Sequence, residues 1–99
     1  MRANNHTRQR LQERLTADER KAVGASVRAA VAVHGSRGRI AVYAHRLTAH
    51  RVAECDSGSN GQNVVAIVEN GRVKTVMLRR DNQPPTRHAL RVDLVVRGA

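Results

Sequence analysis

The chain has 99 residues and a formal net charge of +10, from eighteen Lys and Arg against eight Asp and Glu. That length leaves room for one domain with a small core, so residues 1–99 are read as a single domain for which a homodimer is compatible. There is no Phe or Trp, and Tyr43 is the only aromatic, which argues against modules that stack bases on aromatic platforms.

The charge is uneven. Residues 1–53 hold eleven cations and three anions, and residues 54–99 hold seven and five. An excess of this size attracts polyanions and supplies the salt-sensitive part of nucleic-acid affinity, so nucleic acid is the expected partner, with RNA favoured. All but Lys21 and Lys74 of the cations are Arg, which suits bidentate phosphate recognition, although a GC-rich genome gives the same bias. Cys55 is the only cysteine and rules out an intrachain disulfide. The longest apolar runs, 29–33 and 64–68, are too short for a membrane span or signal-peptide core, so a cytoplasmic protein with no membrane partner is expected.

In chain order, residues 5–14 are compatible with a first helix. Thr16-Ala17-Asp18-Glu19 reads as a capping box that starts a second helix at Ala17. Val23, Val27, Ala30 and Val31 then form one buried stripe, and His34-Gly35 ends the helix. Arg39 to Leu47 reads as a strand with Ile40, Val42 and Ala44 on one face, and residues 56–61 as a loop. Asn70-Gly71 between two apolar runs specifies a hairpin turn. Unbroken pairing from that turn sets Glu69 against Arg72, Val68 against Val73, Ala66 against Thr75 and Val64 against Met77, placing Thr75 and Arg79 on the face that meets the helices. Pro84-Pro85 ends the hairpin, Thr86 caps a short turn, and Val92 to Val96 forms a last strand. The expected fold is α+β, two N-terminal helices packed on an antiparallel sheet of about four strands.

His6, Arg10 and Arg14 recur at i, i+4 and i+8, one stripe on a helix. With Thr75 and Arg79 converging from the sheet, they hold the parts for metal-independent RNA cleavage. The imidazole, which ordinarily titrates near pH ~6.5, moves a proton, and the guanidinium groups take the phosphorane charge. The plainer alternative is a solvated helix face, a core threonine and a strand-end cation. Arg8, Arg46 and Arg80 are read as further nucleic-acid contacts. His45, His50 and Cys55 lack the tight spacing of metal ligands, the acidic neighbours of Cys55 disfavour a nucleophile, and no metal or cofactor is expected.

The element order, the His6 to Arg14 helix, Ser59-Asn60-Gly61 and the strand ending Thr75-Val76-Met77-Leu78-Arg79-Arg80 resemble small phage and prophage proteins related to the RelE-like and colicin D-like ribonuclease toxins. The resemblance implies helices packed on an antiparallel sheet, catalytic positions at His6 and Arg10, and Thr75 and Arg79 completing the site. For a phage-encoded chain it also implies work in the host cytoplasm. The functional expectation is a toxin-like domain acting on nucleic acid, as a metal-independent endoribonuclease in its sharpest form. The alternative is a non-catalytic phage-type binding protein that engages a host protein or nucleic acid.

Overall fold

The first helix of the fold, α1 (Ala17–His34), starts where its capping box requires. The Glu19 N–H donates to Thr16 Oγ1 at 3.1 Å and the Thr16 N–H donates to Glu19 Oε1 at 2.8 Å, so two end groups are satisfied reciprocally. Val23, Val27 and Ala30 are its buried stripe, and Gly35, at φ 85°, ends it by donating its N–H to the Val31 carbonyl. The computed structural model describes residues 13–55, 61–81 and 90–97. Glu13 and Arg14 are helical, but the rest of the helix expected over residues 5–14 lies outside the described residues, as do Pro84, Pro85 and Thr86.

Four strands follow: β1 (Arg39–Arg46), β2 (Asn63–Glu69), β3 (Arg72–Arg79) and β4 (Leu94–Arg97). They lie in the order β3-β2-β1-β4. β2 pairs antiparallel with both β1 and β3, whereas β4 runs parallel to β1, with Ile40 opposite Leu94 and Val42 opposite Val96. The sheet is therefore mixed, not antiparallel throughout. The cause is the last connection: β3 and β4 occupy opposite edges, and the chain that crosses between them returns to β4 in the direction of β1. The helices also depart from the expected pair. Among the described residues one complete helix precedes the sheet, and a second, α2 (Ala49–Cys55), connects β1 to β2.

Both faces of the sheet are covered. On one, Val42, Val64, Ala66, Val68 and Val76 pack with Val23, Val27 and Ala30 of α1, and the Ser26 hydroxyl donates to the Ala44 carbonyl at 2.8 Å. On the other, Ala41, Tyr43, Val65 and Ile67 pack with Leu90 and Val92 of the crossing segment, while Arg97 stacks 4.7 Å from the centroid of the Tyr43 ring. β2 is buried on both faces, as a continuous apolar run should be.

The hairpin turns at Asn70-Gly71 as expected, with φ of 52° and 81°, the pair of positive values that a tight two-residue turn demands. Glu69 opposes Arg72 and Val68 opposes Val73. Lys74 is then an extra residue in β3. Beyond it Ile67 faces Thr75, Val65 faces Met77 and Asn63 faces Arg79, so the expected pairs Ala66 with Thr75 and Val64 with Met77 do not form. This one-residue slip moves Thr75 and Arg79 away from the helices and turns Val76 and Leu78 toward them. Burial decides the outcome. Covering a Val or Leu stabilises by roughly 1.5–3 kcal/mol, whereas a hydroxyl and a guanidinium without partners would cost energy in the same place.

Candidate nucleic-acid interface

The bulge divides the residues that the sequence suggested for cleavage. Arg14 lies on the helix side: its guanidinium donates to the Cys55 carbonyl at 2.8 Å, and Cys55 belongs to the core beneath α1. Thr75 pairs with Ile67 on the opposite face. Arg79 pairs with Asn63 at the end of the sheet, and its carbonyl accepts from Asn63 Nδ2 at 3.1 Å. His6, Arg8 and Arg10 lie outside the described residues. Arg14 and Thr75 are thus not brought to one point.

Arg46 and Arg80, by contrast, line the same cleft, an open depression of about 690 Å³ between α2 and the chain leaving β3. Arg46 comes from the last position of β1, and Arg80 follows the last position of β3. Asp81 lines the cleft with them. The Arg46 guanidinium holds Asp81 in a two-pronged grip, with hydrogen bonds of 2.8 Å to Oδ1 and 2.7 Å to Oδ2. Asn63 Nδ2 adds a bond to Oδ1 at 2.9 Å, and Gln62 Nε2 adds one to Oδ2 at 3.0 Å. Four donors thus converge on two oxygens. Arg46 first, then Asn63, hold the Asp81 carboxyl down at about 2.

The backbone brings these groups together by close approach at Gly61. Its φ is 121°, and a Cβ there would stand 2.3 Å from the backbone of Arg79 and Arg80. Only glycine fits. The next residues, Gln62 and Asn63, are thereby delivered beside the end of β3, and Asn63 is the buried polar side chain of the described core. On the far wall Thr48 opens α2, its hydroxyl accepting from the Arg51 N–H at 3.3 Å.

A second arginine organises the opposite side of α2. Arg51 Nε and Nη2 donate to the two oxygens of Glu19 at 2.9 and 2.7 Å, Nη1 donates to Glu54 at 2.8 Å, and Nη2 also reaches the Arg14 carbonyl at 2.7 Å. The Glu19 carboxyl is lowered to about 2, chiefly by Arg51 and, against the opposing effect of burial, by the Thr16 backbone. Nearby, burial pushes the Cys55 thiol up and Arg51 offsets part of that shift, at a cysteine buried in the core. Among the described residues no three His, Cys, Asp or Glu side chains stand together as metal ligands.

Of the residues at the cleft, sequence reasoning singled out Arg46 and Arg80 and did not single out Gln62, Asn63 and Asp81. One signal was available: a glycine just ahead of a buried strand marks close backbone approach, and the polar residues on either side of such a contact become neighbours. No described helix is long and apolar enough to cross a membrane. The chain matches no family model, and no curated protein or solved structure matches it.

Proposed function

We propose that the chain is a small basic domain that binds nucleic acid, RNA by preference, with the Arg46 and Arg80 cleft as its phosphate-facing surface. The observation that carries this reading is that two arginines, one ending β1 and one just past the end of β3, line one open cleft in a chain of net charge +10. Much of the acidic minority is engaged internally. Glu19 and Glu54 pair with Arg51, Glu69 with Arg39 and Lys74, and Asp81 with Arg46. Exposed cations such as Arg28, Arg37, Arg72 and Arg91 keep the field outside positive.

Binding is favoured over cleavage because Thr75 lies across the sheet from the layer that holds Arg14. A reacting phosphate needs its donors within about 3 Å, and these two do not share a face. The preference for RNA and the likeness to the RelE-like and colicin D-like toxins belong to this proposal.

The test is a titration of labelled RNA at two salt concentrations. Affinity should fall steeply between about 50 and 200 mM salt, since each neutralised phosphate releases counterion. No binding at the lower concentration contradicts the proposal. A mixed RNA pool incubated in chelator should stay intact on a gel. Cleavage that disappears in His6→Ala would instead establish the endoribonuclease.

A further inference from the structure

The grip on Asp81 has the form of an oxyanion site. A guanidinium fork supplies two hydrogen bonds and two amide side chains supply one each, all four aimed at a pair of oxygens held by one central atom. A carboxylate and a phosphate present the same pair of oxygens to such donors. The site is built into the sheet end. Asn63 is buried at 8% exposure, Gly61 forces its neighbours against β3, and Arg46 is the last residue of β1. The fold therefore holds the Asn63 donor and brings the backbones of Arg46 and Gln62 beside it, while the Arg46 guanidinium reaches in from an exposed position. Asp81 is half exposed, at 55%, and opens on the cleft that Arg80 also lines.

We propose that Arg46, Gln62 and Asn63 form a phosphate-binding site whose resident anion is the chain's own Asp81, and that an external phosphate group competes with Asp81 for it. Free phosphate and a phosphodiester share this chemistry. That the ligand is a phosphodiester rests on the nucleic-acid reading above; the site itself does not. Arg46 exchanges one anion for another without losing its hydrogen bonds, so the charge on the donors is never left bare. Asp81 then sets the threshold for binding, because every ligand must displace a carboxylate already satisfied by four bonds.

The experiment compares Asp81→Ala, Asp81→Asn and Glu69→Gln. The last removes one negative charge from the opposite end of β2 and so measures the general electrostatic gain. Inorganic phosphate and a short RNA without terminal phosphate are titrated separately, by following the side-chain amide resonances of Asn63 and Gln62 and by fluorescence anisotropy. In Asp81→Ala, phosphate should shift both amides, and RNA affinity should rise about tenfold beyond the rise in Glu69→Gln, the worth of one charge-assisted contact. Asp81→Asn, which keeps a side chain able to pack against Arg46, should move the same way. Still amides and a rise no larger than that of Glu69→Gln would overturn the site. Phosphate binding by the Asp81 variants with no RNA binding by any form would keep the site and remove the nucleic-acid reading.

Discussion

Arg51 and Arg46 each hold a carboxylate in a two-pronged grip, but their surroundings differ. The Arg51 and Glu19 side chains are 21% and 12% exposed and tie α2 to the start of α1, whereas those of Arg46 and Asp81 are 58% and 55% exposed and look onto a cleft. The same chemistry therefore does two jobs. A shielded pair costs more to break because its survivor has less water to turn to, while an exposed pair adds little and can be exchanged for another partner. On the proposed reading, Arg51 serves stability and Arg46 serves binding.

The largest effect is expected where the cleft is anchored. Gly61→Val puts a Cβ into the backbone of Arg79 and Arg80 at a φ that valine avoids, and should cost more than about 3 kcal/mol. Urea unfolding followed by circular dichroism would show it. An unchanged midpoint would mean that the sheet end adapts, and the cleft would lose its fixed geometry.

Next comes Arg51→Ala, which leaves Glu19 without its main partner and should lower the urea midpoint clearly while lowering RNA affinity no more than removal of any other single charge. The pH dependence sharpens the point. Glu19 is lowered from 4.5 to about 2 in the folded chain, so its contribution is fully present above the ordinary carboxylate range and is lost as pH falls from about 5 toward 2. Glu19→Gln should flatten the stability profile across that window. A profile as steep as that of the unmutated protein would place the acid sensitivity elsewhere.

Arg46→Ala should show the reverse pattern: a urea midpoint close to that of the unmutated protein, since the pair is exposed, and a loss of RNA affinity of about tenfold. A large loss of stability with little change in affinity would make Arg46 a second Arg51 and remove the distinction.

Sequence legibility follows the same divide between local and distant effects. The capping box at Thr16, the stripe of Val23, Val27 and Ala30, the glycine cap at Gly35 and the turn at Asn70-Gly71 all depend on a few adjacent residues, and each stands where the sequence places it. The bulge at Lys74 was not legible, because Val73, Val76, Met77 and Leu78 put apolar residues at both parities of β3 and alternation cannot choose between registers. That single residue decided which face received Thr75 and Arg79. The parallel strand β4 and the second core depend on a crossing connection, and the continuous apolar run of β2 was their only local sign. At the cleft, Arg46 and Arg80 stood out by charge, but Asp81 and Asn63 became partners only through the close approach at Gly61.

The central claim is that position in the cleft, and not charge alone, makes the nucleic-acid surface. It is tested most directly by comparing Arg46→Ala/Arg80→Ala with Arg28→Ala/Arg37→Ala, two variants of equal net charge, in a titration of labelled RNA at low salt. The cleft variant should lose about a hundredfold in affinity and the distant variant no more than about tenfold, the latter being the general electrostatic share. Equal losses in the two variants would contradict the account and leave the charge without an address.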